Sequence, residues 1–386
     1  MADPELPNPL QEMHAKADAE TLPYGALEII LTFGEPQAEY SAIHKTAGLF
    51  DMPFRAMLEI TGKDRLTFLN NLLSNQIVDK ETKNPIAAGT EVYAYLLGAK
   101  TGRIIADINV LELGDRTLLE LDGRVAETVR AALEKYHFAE QIAMRSLVGQ
   151  LHELSLHGPG APDLIAKVID SGKVPAAVGR CSAVRILGND VIAWRDDPCG
   201  APGIFLIVPT AAAAAIWNHL IVSFGNPNVS GAAVNVGRRL LRPVGWAAFN
   251  TTRIEAGRPL FGIDFDETFL PAETGQIARA VSFTKGCYPG QEIVARMHAR
   301  QQVARQIVGI RMEGDALPMA GTHIYDDAAN QIGGITSSTM APILSNAAIC
   351  LGIVKRPSFN VGTELTIPAE GAMRKGKVVS TPFARI

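Results

Sequence analysis

The segments QIVGIRM (306–312), HIY (323–325), QIGGIT (331–336), AICLGIV (348–354), ELTI (364–367) and KVVS (377–380) decide the last part of the fold. Each is short, rich in β-branched residues and bounded by Gly, Pro or Asn-containing turns, the spacing of a small closed all-β domain. We therefore expect a β-barrel over 306–386. Upstream the pattern changes to strands interleaved with helices. RAMLEIT (55–61) alternates as a strand does. The turn Gly62-Lys63-Asp64 leads into a helix from Arg65 to Leu73, with Leu66, Leu69, Leu72 and Leu73 on one face. Tyr93–Leu97, Ile104–Leu111, Leu118–Leu121 and Leu151–Leu156 read as strands, and Val125–Tyr136 and Pro162–Ile169 as helices. The fold class is α+β, closed by a barrel. Residues 1–23 contain four prolines and little periodicity, so they read as a flexible arm. The expected division is arm 1–23, an α+β region 24–305 with an internal boundary near 150, and the barrel 306–386.

Composition narrows the function. The 386 residues are 47% hydrophobic and 20% charged, as in ordinary globular proteins and unlike disordered or fibrous chains. A net charge of -4 argues against a globally basic nucleic-acid binder. No apolar run approaches the ~18 residues of a membrane span, and the acidic, proline-rich start does not resemble a signal peptide. The four cysteines, Cys181, Cys199, Cys287 and Cys350, form no disulfide framework and have no zinc spacing, which suits a reducing, cytoplasmic setting. The eight histidines are scattered, and no metal site is expected.

The sharpest chemical feature is KGCYPGQEIVAR, from Lys285 to Arg296. Gly286, Pro289 and Gly290 make a tight turn, and Gln291 onward is helical in composition, with a Glu292–Arg296 i,i+4 pair. Cys287 falls just before a helix start with Lys285 two residues away, and both favour a reactive thiolate. Five Lys or Arg and one acid lie between Arg279 and Arg305. A buried structural cysteine beside a solvated helix face is the plainer alternative. Asp107 is the second candidate. It shares a strand face with Ile105, and a carboxylate in a pocket there could stabilise a cation or move a proton. The plainer alternative is an acid at a solvated strand edge. His157-Gly158-Pro159-Gly160 follows a strand and opens a helix, but it lacks the third glycine of a dinucleotide loop.

From residue 44 to 383 the chain resembles the folate-binding superfamily of the glycine-cleavage T-protein (aminomethyltransferase). The resemblance is carried by Ala47–Asp51, Ile60–Asp64, Gly102–Asp107, His157–Pro159, Arg253–Gly257 with Phe261-Gly262, Ile335–Ser337 with Pro342, Arg374–Lys377 and Pro382-Phe383. Within it, KGCYPGQEIVAR is similar to the hallmark of the YgfZ branch, tetrahydrofolate-associated proteins that assist iron–sulfur enzyme assembly or repair. The resemblance implies a three-domain ring, tetrahydrofolate or a one-carbon derivative as cofactor, and iron–sulfur client or assembly proteins as partners. It implies Cys287 as functional thiol and Asp107, Arg253, Lys285, Tyr288 and Arg296 as folate-site residues. The expected site is an electropositive cavity drawing on 102–107, 253–262 and 285–296. Two departures stand out: Ala201 takes the place of a pterin-binding glutamate, and Asp107 matches the transferase acid that the YgfZ branch often lacks. The first reading is thus a folate-binding accessory protein acting through Cys287. The alternative is a tetrahydrofolate-dependent aminomethyl- or methyltransferase using Asp107, and a third is a non-catalytic folate-binding module.

Overall fold

A computed structural model describes residues 6–225, 240–300 and 303–383. In chain order the elements are α1 (Gln11–Lys16), β1 (Glu20–Tyr24), β2 (Leu27–Thr32), α2 (Pro36–Lys45), β3 (Gly48–Asp51), β4 (Arg55–Thr61), α3 (Arg65–Leu72), β5 (Thr90–Leu97), β6 (Ile104–Glu112), β7 (Arg116–Asp122), α4 (Ala126–Glu134), β8 (Ala143–Ser146), β9 (Leu151–His157), α5 (Ala161–Ala166), β10 (Cys181–Ile186), β11 (Asn189–Arg195), β12 (Gly203–Pro209), α6 (Thr210–Phe224) and β13 (Arg242–Val244). There follow α7 (Trp246–Glu255), α8 (Ile277–Ala280), α9 (Gln291–Arg300), β14 (Arg305–Met312), β15 (His323–Tyr325), β16 (Gln331–Ala341), β17 (Ala347–Lys355), β18 (Glu364–Ala369) and β19 (Ala372–Val379). No helix among the described residues is long and apolar enough to cross a membrane.

The chain divides into two compact units, 1–70 with 77–93 and 108–249, and 71–76 with 94–107 and 250–386. Residue 150 lies inside the first unit. The first unit holds a six-stranded sheet ordered β10-β11-β12-β9-β3-β13 and most of a five-stranded sheet ordered β5-β6-β7-β4-β8. β12 is buried from Gly203 to Val208, and as an inner strand it needs the unbroken apolar run IFLIV where an edge strand would alternate. Its side chains join Leu49, Leu154, Leu156 and the α6 residues Ile216, Trp217 and Leu220 in one core.

The start of the chain is a correction. From residue 6 it is docked and partly regular; residues 1–5 of the expected arm lie outside the described residues. Leu6 and Leu10 are buried, and α1 carries a buried His14. His14 Nε2 meets Asp51 Oδ2 at 2.8 Å, while His152 Nε2 meets Asp51 Oδ1 at 2.6 Å. All three side chains are buried, and the carboxylate pins α1 to β3 and β9 together. The prolines that suggest a mobile arm lie outside α1, so they punctuate a short helix without breaking it.

In the second unit β14-β17-β16-β15-β18-β19 close into a barrel, β19 pairing back onto β14 from Gly309–Val379 to Met312–Gly376. Ile310, Ile324, Ile335, Cys350, Leu365, Ile367 and Val378 fill its interior. The expected barrel strands are all present; residues 384–386 lie outside the described residues. A register shift between Ile335 and Ser337 places one extra residue, Thr336, in β16. A bulge breaks the in–out alternation, and it lets the hydroxyls of Thr336 and Ser337 both reach Asp264 Oδ1, each at 2.7 Å.

Candidate functional site

The motif loop and the β5–β6 turn are neighbours within the second unit. Gly290 adopts φ +80°, and a Cβ there would lie 3.0 Å from the Gly98 carbonyl and 3.1 Å from Gly102 Cα. Gly102, at φ +62°, would in turn drive a Cβ to 2.9 Å from Ile293 Cβ. Both positions combine a left-handed backbone with a close approach, so only glycine lets the two turns pack. This is the physical reason for the glycines of Pro289-Gly290-Gln291 and Thr101-Gly102-Arg103.

Lys285 and Cys287 are two residues apart and have opposite fates. Cys287 is exposed. The Lys285 side chain is buried and turns inward; its Nζ donates to the carbonyls of Leu73 and Asn75 and lies 4.9 Å from the centre of the Tyr288 ring. Desolvation pushes its pKa down to about 7. The sequence expects Lys285 to favour the Cys287 thiolate from two residues away, and the side chain instead turns into the interior. Its ammonium is committed to closing residues 73–75 onto the motif, since buried carbonyls without donors are costly. Ser74 completes that closure, its Oγ donating to Ala280 O at 2.7 Å while its carbonyl accepts Ser282 N–H at 3.0 Å. Tyr288 is buried, and burial pushes its phenol up to about 12.

Arg253 is the second correction. The sequence places it among cations available to folate, yet it is 0% exposed. Its Nη1 donates to Asp264 Oδ2, its Nη2 to Ser337 Oγ at 2.7 Å and its Nε to Asn250 Oδ1 at 3.0 Å. The guanidinium braces α7 to the barrel bulge. Asp264 and Ser337 are the partners that sequence reasoning missed: Ser337 lies in the quoted segment Ile335–Ser337, and Asp264 falls two residues past Phe261-Gly262.

Arg296 is exposed on α9 and forms no ion pair among the described residues, so the expected Glu292–Arg296 pair is not made. With Lys100, which sequence reasoning also missed, it flanks an open cleft of about 650 Å³ lined further by Ala99, Tyr288, Gln291, Glu292 and Ile293. Lys100 sits between Gly98 and Gly102, and a cation presented on a glycine-flanked turn is the one signal that could have found it. Asp107 is half-buried on β6, between the fully buried Ala106 and Ile108. In the first unit Ala201 is buried and brings no carboxylate, and the nearby Asp197 is engaged by Arg195 and by Gly203 N–H. Among the described residues no group of three or more His, Cys, Asp or Glu could hold a metal ion.

The thiols differ sharply. Cys181, Cys199 and Cys350 are buried, and burial pushes Cys181 and Cys350 each up to about 12. Brief iodoacetamide treatment followed by peptide mass spectrometry should therefore label Cys287 first and by a wide margin. Faster labelling of any of the other three would contradict the exposures described.

The GCVT N-terminal domain model matches residues 10–285, and the glycine cleavage T-protein C-terminal barrel domain model matches 305–384. The chain belongs to the glycine cleavage T-protein family. It is 24% identical over 379 residues to an aminomethyltransferase of Geobacillus kaustophilus, covering 98% of each chain. It is 25% identical over 376 residues to an aminomethyltransferase of Halalkalibacterium halodurans, covering 97% of each. The crystal structure of the glycine cleavage system aminomethyltransferase T from Bartonella henselae superposes with a TM-score of 0.84 at 23% identity, covering 99% of each chain. That likeness establishes a common fold, barrel included. Aminomethyltransferases of the T-protein family use tetrahydrofolate.

Proposed function

We propose that the protein binds tetrahydrofolate and carries out one-carbon transfer of the aminomethyl type, with Asp107 as the central acid. The observation that carries this reading is Asp107 itself, a half-buried carboxylate on β6 between buried apolar neighbours. End-to-end similarity to aminomethyltransferases supports it. The donor set suits the ligand. Folate joins a polar, nitrogen-rich ring to a carboxylate-bearing tail, and the second unit offers the half-buried Asp107 together with two exposed cations, Lys100 and Arg296. Arg253 is not part of that set, because its guanidinium is engaged by Asp264, Ser337 and Asn250.

Tetrahydrofolate, when bound, supplies the nitrogen that carries the one-carbon unit. Asp107 then supplies a fixed negative charge where positive charge develops, and a fixed charge in a partly dry site acts far more strongly than in water. The test has two arms. Titration calorimetry with tetrahydrofolate should show binding that weakens as salt rises, and millimolar ligand giving neither heat nor thermal shift would overturn the reading. Asp107→Asn should cost about 10²-fold or more in transfer rate, while Cys287→Ser retains most of it.

A second reading is favoured by one observation. Cys287 is exposed on a turn held rigid by Gly290 and by the buried Lys285. That supports the YgfZ-type role, in which the folate-bound protein aids iron–sulfur enzymes through its thiol. The two variants then exchange places: Cys287→Ser abolishes support of iron–sulfur enzymes in a deletion strain, and Asp107→Asn leaves much of it. Full complementation by Cys287→Ser would end this second reading.

A further inference from the structure

Two carboxyl groups meet in the interior of the first unit with one guanidinium bound to one of them. Glu120 on β7 and Glu153 on β9 are both 0% exposed. The oxygens of Glu120 are supplied: Arg55 on β4 donates to Oε1, and Asn109 on β6 donates to Oε2 at 2.6 Å. Glu153 Oε1 accepts the Trp194 indole N–H from β11 at 2.8 Å. Its Oε2 is shut off from solvent and, taken as an acceptor, meets no donor. Glu120 nevertheless lies within hydrogen-bonding reach of Glu153.

Charge counting decides the matter. Two desolvated carboxylates against one cation would leave an uncompensated buried charge, whose cost is several kcal/mol. A buried acid escapes that cost by keeping its proton. Among the described residues, the two strands flanking β9 bring no further group to relieve the pair. β12 carries none, and Asp51 at the end of β3 is engaged with His14 and His152. A protonated Oε2 also resolves the missing partner, because it becomes a donor and Glu120 the acceptor.

We propose that Glu153 holds a proton which it donates to Glu120, so that a carboxylic acid–carboxylate bond joins β9 to β7 as a proton-operated latch between the two sheets of the first unit. Burial and the Glu120 charge push the Glu153 pKa well above the ordinary carboxylate range, in keeping with this. The folded state then keeps a proton that the unfolded chain releases near pH ~4.3. The stabilisation is whole below that pH and is lost as pH rises through the folded pKa, leaving two like charges face to face across the sheets.

The experiment uses the full chain. Infrared spectroscopy at neutral pH should show the carbonyl stretch of a buried protonated carboxylic acid, and Glu153→Gln should abolish that band. The glutamine amide can still donate to Glu120 and cannot ionise. Urea unfolding of the two proteins should diverge in the variant's favour as pH rises. The ratio of their unfolding constants should grow by up to about tenfold per pH unit below the folded pKa. A neutral-pH spectrum without the band, or a ratio that does not move with pH, would overturn the latch. Should Glu153→Gln not fold, Glu120→Gln serves instead. It leaves Arg55 free for Glu153, which should then ionise, so a persisting band overturns the latch equally.

Discussion

Arg253→Ala should lower stability by about 3–5 kcal/mol, the scale of breaking a buried ion pair from one side. Asp264 is 2% exposed and would remain as a buried carboxylate, still accepting from Thr336, Ser337 and Leu260 but without its cation. Ser337 Oγ would lose the Nη2 donor, and α7 its tie to the barrel bulge. Lysine should not rescue, because one ammonium cannot reproduce the separate Nη1, Nη2 and Nε bonds made to Asp264, Ser337 and Asn250. Urea denaturation checks the magnitude, and Arg253→Ala/Asp264→Ala should recover part of it, since the second change removes the stranded charge. Whatever fraction of Arg253→Ala is folded should bind tetrahydrofolate as the parent does. A loss below 1 kcal/mol together with a collapse in folate affinity would restore Arg253 to the ligand site.

The second large effect is expected at Asp51. Asp51→Ala strands the imidazoles of His14 and His152 in the interior, and hydrogen bonds to a charged group are each worth about 1.5–3 kcal/mol. The expected loss is about 3 kcal/mol or more. Limited proteolysis should then cut within residues 6–24, which the parent protects because α1 is held down by that carboxylate. The pH dependence has a definite sign. The two histidines hold the Asp51 carboxyl well below its usual range, against the opposing effect of burial. Its contribution is therefore present above the unfolded-chain pKa of ~3.9 and is lost as pH falls below it. The stability gap between the parent and Asp51→Asn should be flat above pH ~5 and close on acidification. A gap that widens in acid would mean that the carboxylate is not the charged partner.

The regular elements were legible because each is encoded within a few consecutive residues. Alternation in RAMLEIT marks β4, and the punctuated runs after residue 305 mark the barrel strands one by one. What failed to be legible depends on partners far along the chain. Arg253 looks the same in sequence whether it waits for a ligand or is already paired, and the deciding residues are Asp264 and Ser337, eleven and eighty-four positions on. Lys285 stands in the sequence only as a cation two residues from Cys287, while the carbonyls that draw it inward belong to residues 73 and 75. The docked start hid for a related reason. Leu6, Leu10 and His14 recur every four residues, a helical stripe, but the prolines around them suggested an arm, and Asp51 cannot be seen as their anchor without the fold.

The route of the chain has a consequence for its birth on the ribosome. The second unit draws 71–76 and 94–107 from the first third of the sequence and 250–386 from the end. Those early pieces leave the exit tunnel more than a hundred residues before the chain that will cover them. Ser74, Tyr95 and Ile104 must wait for Ala280, Thr274 and Phe269, which take their hydrogen bonds in the finished protein. At 5–20 residues per second that interval lasts roughly ten seconds or more. Throughout it the apolar ends of β5 and β6 are bare, a natural target for a holding chaperone. A messenger truncated before residue 269 would yield a polypeptide with unfinished strands and no means of closing them.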